Sequence, residues 1–181
     1  MSLPQIIGLS GKKQNGKSTT ANWLTQHYGY EQVSFGAALK EAVSIIFGFP
    51  MDKFEDGVWK ETVDPFWGVT PRHILETVGT RCLRDNFRQD IWVKVVERKL
   101  ANYKYRRIVL TDVRFPTEVD AIRSWGGEIW RLVHPDRQSG STSVPETALD
   151  TYALWDHQLI AYNVPELEAL VEAIMKSKED T

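Results

Sequence analysis

Short apolar runs alternate along the chain with stretches whose apolar residues recur at helical spacing. Gln5-Ile6-Ile7-Gly8-Leu9 reads as a buried strand, and residues 17–28 as the first helix, with Ala21, Trp23 and Leu24 among its packing residues and Gly29 as its stop. Residues 31–35 form a second short strand. Leu39, Val43, Ile46 and Phe47 then fall at i, i+4, i+7 and i+8, one apolar face of a helix over 36–49. Lys40 lies off that face, near the helix start, where it can face a cleft.

Residues 50–70 break the pattern. Phe54, Trp59, Phe66 and Trp67 stand among Asp52, Glu55, Asp56, Glu61 and Asp64 with no period, so the segment reads as irregular. Its aromatics either stack on a base or pack the segment onto the rest of the chain. Thr70-Pro71 starts a helix whose core face is Ile74, Leu75, Val78 and Cys82. Asp90 reads as the cap of another, with Ile91, Val95 and Leu100 aligned to about Asn102. Residues 106–112 form a buried strand ending in the acid Asp112. Pro116 opens a helix that Gly126-Gly127 closes, and strands follow over 128–133 and 158–162. Asn163 and Glu166 resemble a capping box for a last helix carried by Leu167, Leu170, Val171 and Ile174, and residues 176–181 read as a fraying tail.

Alternation at this spacing implies a mostly parallel sheet covered on both faces, with ligands beyond the carboxyl ends of the strands. The 181 residues suit one α/β domain, with an insert over about 50–90. With 22 basic and 24 acidic residues the net charge is −2, so no overall positive field draws the chain to nucleic acid or a membrane surface. Small anionic ligands must be held by local arginine clusters instead. The single cysteine, Cys82, excludes an internal disulfide and a four-cysteine zinc site and suits a reducing cytoplasm. No apolar run approaches bilayer length, so a soluble, cytoplasmic, untargeted protein is expected.

The candidate chemistry begins at Gly11-Lys12-Lys13-Gln14-Asn15-Gly16-Lys17-Ser18, a G-x-x-x-x-G-K-S turn between a strand and a helix. Its glycines let backbone N–H groups approach a polyphosphate while the helix aims its positive end at the same place. Gly11, Lys12, Asn15, Gly16, Lys17, Ser18 and Thr19 are the expected nucleotide ligands, with Lys17 reaching the β/γ-phosphates and Ser18 ligating Mg²⁺. Asp112 ends a buried strand, where such a site needs a carboxylate for the metal, and Arg114 points to the same side of an extended chain.

Arg81, Arg84 and Arg88 fall at i, i+3 and i+7, one stripe if the helix continues that far. They serve either a phosphate or a solvated face. Residues 134–150 hold Pro135, Gly140, Pro145 and four Ser or Thr residues between Ser139 and Ser143, with Arg131 and Arg137 nearby. That composition fits a lid that brings arginines to a phosphoryl group, or an ordinary surface loop. His27, His73, His134 and His157 lack metal-ligand spacing.

Together with the loop, Ser34-Phe35-Gly36-Ala37-Ala38-Leu39-Lys40, Val78-Gly79-Thr80-Arg81, Asp90-Ile91-Trp92 and above all Thr111-Asp112-Val113-Arg114-Phe115-Pro116-Thr117-Glu118 resemble the bacteriophage deoxynucleoside monophosphate kinases over most of the chain. The resemblance implies an α/β P-loop NTPase fold of three layers, α/β/α, around a five-stranded, mostly parallel sheet. It implies ATP and Mg²⁺ as donor and a deoxynucleoside 5′-monophosphate as acceptor. Gly11, Gly16, Lys17 and Ser18 would hold the ATP phosphates and metal, Asp112 would serve Mg²⁺, and Arg114 with Arg81 would grip the acceptor phosphate. Lys40, Arg84, Arg88 and Trp92 complete the candidate substrate set, and Arg131 and Arg137 join Lys17, Asp112 and Arg114 as catalytic candidates. Thr117 stands where the family block has asparagine.

The alternatives are a P-loop kinase with another small acceptor, such as dephospho-coenzyme A, and a non-catalytic nucleotide-binding protein. A GTP-dependent switch wants an N-K-x-D and a D-x-x-G, and the sequence contains neither. Only small-molecule partners are expected, and homodimer formation is left open.

Overall fold

The computed structural model describes residues 3–101, 106–137 and 144–179. In chain order the elements are β1 (Ile6–Ser10), α1 (Lys17–Tyr28), β2 (Glu31–Val33), α2 (Ala37–Phe47), a 3₁₀ turn (Met51–Glu55), α3 (Gly57–Glu61), α4 (Pro71–Glu76), a π-helix (Thr77–Asp85), α5 (Ile91–Leu100), β3 (Ile108–Leu110), α6 (Pro116–Ser124), β4 (Glu128–Val133), α7 (Val144–Thr147), β5 (His157–Ile160) and α8 (Val164–Glu179). They form two compact units, one of Met1–Phe35 with Arg98–Thr181 and one of Gly36–Glu97.

The first unit contains the sheet, in the order β2-β3-β1-β4-β5, with every described pairing parallel. The most apolar strands occupy its centre, as a sheet covered on both faces requires. Ile7 and Leu9 of β1 join Trp130 and Leu132 of β4, Ala21 and Leu24 of α1, and Leu167, Val171 and Met175 of α8 in one buried cluster. Gly8, between Ile7 and Leu9, faces the other way, toward Ile122 of α6 and Ile129. Helices therefore cover both faces, as expected. Gly29 ends α1 in the left-handed conformation (φ 68°), its N–H bonded to Thr25 O.

Several boundaries and faces differ from the sequence reading. Residues 176–179 are not a frayed tail, because α8 continues to Glu179; residues 180–181 lie outside the described ones, as does Asn102. On α8, Leu167 and Val171 are buried with Met175 and Ile174 packs against them as expected, while Leu170 is exposed. Likewise α5 buries Trp92, Val93 and Val96 rather than Ile91, Val95 and Leu100. Asp90 precedes α5, but its carboxylate engages the Arg88 guanidinium, at 3.1 Å from Nη2. In each case an apolar spacing admitted two adjacent faces, and tertiary packing chose between them.

In the second unit, α2 turns Val43 inward, and Leu39 and Phe47 pack partly against it. Ile46, expected on that face, is 65% exposed. The segment 50–70 holds more helix than expected, since Asp56 caps α3 by accepting from Val58 N (2.8 Å) and Trp59 N (3.0 Å). Phe54 and Trp59 are packing residues, edge to face with Phe49 at 6.4 and 5.2 Å. Phe66 is 84% exposed. Thr70 caps α4 as expected, its hydroxyl accepting from His73 N at 3.1 Å. Cys82, expected on the core face, is exposed, because the chain widens from α to π geometry at Thr77 and the apolar stripe changes phase there.

One polar cluster ties α8 to the sheet. Glu128, at the amino end of β4, accepts from Lys178 Nζ (2.6 Å) and Trp130 Nε1 (3.0 Å), and His157 Nε2 lies 3.6 Å away. Burial pushes the Glu128 carboxyl up, but hydrogen bonds from His157, Lys178 and Trp130 outweigh it and bring it down to about 2, from an ordinary 4.5. A carboxyl lowered on folding contributes stability that is present above the unfolded value and is lost as pH falls from about 4.5 toward about 2. Thermal melts between pH 6 and pH 2 are expected to lose on the order of 1–2 kcal/mol through this group, discounted for partial solvent exposure, and Glu128→Gln is expected to flatten that loss.

Candidate active site

The turn after β1 is shaped by two positions where a side chain has no room. Gly11 (φ 154°) and Gly16 (φ 87°) would each carry a Cβ into packed atoms, 2.6 Å from Leu132 O and 2.4 Å from Leu167 Cδ2 respectively. Gln14 also adopts positive φ (65°), a conformation uncommon outside glycine, and its carbonyl accepts from Arg137 Nη1 at 3.2 Å. Asn15 Nδ2 donates to Leu132 O at 3.3 Å, fastening the turn to β4. The start of α1 has neither a side-chain cap nor an acid in its first turn, so its amides face the turn as an anion site.

Lys17 folds back on this turn, with Nζ donating to Gly11 O (2.5 Å) and Lys12 O (2.8 Å). Lys12 Nζ lies 2.5 Å from Asp150 Oδ1. Arg131, in β4, is paired in register with Ser10 and donates to its Oγ at 3.1 Å; its guanidinium lies 5.2 Å over the Trp155 ring and 3.8 Å from Asp150.

β3 delivers the acid. Val113 N donates to Leu9 O at 3.1 Å, so the chain leaving β3 stays against β1 two residues ahead of Gly11. Asp112 accepts from Ser34 Oγ (2.7 Å) and Phe35 N (2.8 Å), bonds that fix the position of its carboxylate. Buried Glu118 accepts from Arg114 N (2.7 Å) and Phe115 N (3.1 Å), which fixes the backbone of the turn that carries the Arg114 side chain.

Beside the turn opens a cleft of about 350 Å³. Residues 14–19 form one wall, and His134, Arg137, Tyr162 and Asn163 stand among those opposite. The His134 and Tyr162 rings are 6.4 Å apart.

All the expected nucleotide and metal residues, Gly11, Lys12, Asn15, Gly16, Lys17, Ser18, Thr19 and Asp112, lie in the first unit with Arg114, Arg131 and Arg137. The first six of these and Thr19 belong to the turn or the first turn of α1, and Asn15 to Thr19 also line the cleft. Lys40, Arg81, Arg84, Arg88 and Trp92 lie in the second unit. Arg131 belongs to a strand, not to the 134–150 segment as a lid arginine would. That segment includes α7, and Ser139 to Ser143 with Gly140 fall outside the described residues.

Lys40 Nζ pairs with Glu55 at 2.7 Å, and Arg88 with Asp90. The expected stripe of three arginines does not form. Arg84 is 5% exposed with Nη1 donating to Gln89 O at 3.2 Å, Arg81 is exposed, and Arg88 lies beyond the helical segment. Trp92 is 8% exposed, its indole N–H donating to Gly79 O at 3.2 Å. Sequence reasoning missed Asp150, Ser34 and the cleft residues His134, Tyr162 and Asn163. Only Glu118 left a signal, since an acid two residues after Pro116 is at the third position of a helix start.

A phosphate-cradling turn between a central parallel strand and its helix, with a carboxylate arriving on the adjacent strand, makes this a P-loop kinase fold. Solved structures share it. TT1252 from Thermus thermophilus superposes with a TM-score of 0.53 at 15% identity, over 96% of this chain and 97% of that one, and the dephospho-CoA kinase of Campylobacter jejuni with 0.51 at 10%, over the same shares. The chain belongs to the deoxynucleotide monophosphate kinase family, whose model matches residues 50–174. A putative deoxynucleotide monophosphate kinase of Acanthamoeba polyphaga mimivirus is 31% identical, over 86% of this chain and 87% of that one. The deoxynucleotide monophosphate kinase of Enterobacteria phage T4 is 26% identical, over 94% and 97%. The protein is thus a nucleotide-handling kinase. Among the described residues no helix is long and apolar enough to cross a membrane.

Proposed function

We propose that this kinase moves the γ-phosphoryl group of ATP to the 5′-phosphate of a deoxynucleoside monophosphate, giving the diphosphate. The observation that carries the reading is the pairing of the Gly11–Ser18 turn with Asp112 at the carboxyl ends of the neighbouring strands β1 and β3. Family membership supplies the acceptor class.

The triphosphate nests against the amides of the turn and of the α1 start, and Lys17 leaves the Gly11 and Lys12 carbonyls for the β/γ-phosphates. The base and ribose enter the cleft between residues 14–19 and the His134, Arg137, Tyr162 and Asn163 wall. Arg137, already on the Gln14 carbonyl, serves the donor phosphates, whereas Arg131 steadies the end of β1 through Ser10. Arg114 and Arg81 are assigned to the acceptor phosphate, Arg114 on a turn pinned by Glu118.

The donor set suits Mg²⁺. Ser18 and Asp112 offer hard oxygen atoms, Asp112 is held in place by Ser34 and Phe35, and a magnesium bound chiefly by phosphates and water would need no more than one or two protein ligands. When bound, the ion neutralises charge on the β- and γ-phosphates.

No side-chain base is required, because a monophosphate oxygen is already anionic at neutral pH. What this chain supplies is alignment and charge cancellation, through Lys17, Arg114 and backbone amides. A coupled assay with ATP and a panel of dNMPs, NMPs and dephospho-coenzyme A tests the reading. Turnover is expected with one or more dNMPs; turnover with dephospho-coenzyme A alone, or with none of the panel, would overturn it.

A further inference from the structure

The second unit contains a feature that the acceptor site alone does not account for. Residues Thr77–Asp85 are wound as a π-helix, wider than the 3.6-residue α turn that α4 sets up before it. This geometry is rare, so it persists only where the surroundings hold it.

Three contacts hold it here. Trp92, on α5, donates its indole N–H to Gly79 O at 3.2 Å inside the wide segment. Asn86 Nδ2 donates to Arg81 O at 2.5 Å. Leu39 packs against Gly79, its Cδ2 2.4 Å from where a Cβ would be, so the segment passes Leu39 closely only because residue 79 has no side chain. Trp92 is itself buried, and the bond supplies the partner its N–H needs. A return to α geometry would swing the Gly79 carbonyl toward the helix axis and away from the indole. It would also bring Arg81 and Arg84 to the one stripe that their i, i+3 spacing would produce. In the π register Arg84 turns inward to Gln89 O while Arg81 projects to solvent.

We propose that Trp92 is a positioning residue for the acceptor-phosphate arginine Arg81: its indole N–H on Gly79 O holds residues 77–85 in the wide register and so sets where Arg81 projects. The proposal rests on the assignment of Arg81 to the acceptor phosphate. Trp92, expected from the sequence to touch substrate, acts instead through the backbone.

Steady-state kinetics of Trp92→Phe, Trp92→His and Arg81→Ala test it, alongside thermal melts. Trp92→Phe keeps the ring and removes the N–H; its KM for dNMP is expected to rise about tenfold, with the KM for ATP within about twofold of wild type. Trp92→His keeps a ring N–H while giving up more apolar volume, so it is expected to melt lower than Trp92→Phe and yet bind dNMP better. An unchanged dNMP KM in Trp92→Phe, a rise of both KM values together, or a dNMP KM that follows the melting temperature across the two Trp92 variants would each overturn the register proposal. If Arg81→Ala raises the dNMP KM while Trp92→Phe does not, only the positioning role fails; an unchanged dNMP KM in Arg81→Ala removes the acceptor assignment and the proposal with it.

Discussion

Lys17→Ala is expected to lower kcat at least about 100-fold, a barrier increase of about 3 kcal/mol or more, in a protein that melts close to wild type. Lys17 begins α1 with its Nζ on two carbonyls of the turn, Gly11 O and Lys12 O. Removing it takes one donor from two part-buried carbonyls, and a thermal melt reads what that costs in folding. The loss falls on the transferring phosphoryl group, where a fixed cation cancels charge that spreads in the transition state. Single-turnover measurements with saturating ATP separate this from weaker binding. A variant that turns over near the wild-type rate would remove Lys17 from the chemistry.

Arg114→Ala is expected to act on the acceptor side with a similar size, about 100-fold or more in kcat/KM for dNMP. The turn that carries it is held through main-chain atoms, Arg114 N and Phe115 N on Glu118, so the alanine variant keeps the backbone and loses the guanidinium. Arg114→Lys keeps charge without the planar fork, and is expected to recover only part of the loss. Near-normal turnover in a folded Arg114→Ala protein would exclude the role.

Local signals in the sequence were legible wherever the cause is local. The turn at Gly11–Ser18, the stop at Gly29 and the Thr70-Pro71 start each depend on the backbone freedom of glycine, a fixed proline φ or a hydroxyl three residues from an amide, and each stands where it was expected. Asp112 followed from a strand ending in an acid. What holds Asp112 did not, since Ser34 and Phe35 are 77 or more positions away along the chain.

The second unit was less legible. Every spacing argument for 70–88 assumed 3.6 residues per turn, and the π segment violates that assumption from Thr77 onward. Cys82, Arg81 and Arg84 were misplaced for that reason, and Arg88 because the helical segment ends at Asp85. Helix faces behaved differently: α5 buries a stripe adjacent to the expected one, whereas α8 keeps Leu167, Val171 and Ile174 on the core and exposes only Leu170 of the expected four.

Gly16 abuts Leu167, and Gly11 and Asn15 lean on Leu132. The nucleotide turn is encoded near residue 11, but the surfaces that mould it come from β4 and α8, more than a hundred residues later. During synthesis at the ribosome, a chain that has emerged only through α6 therefore carries the whole motif and lacks the wall that gives it shape.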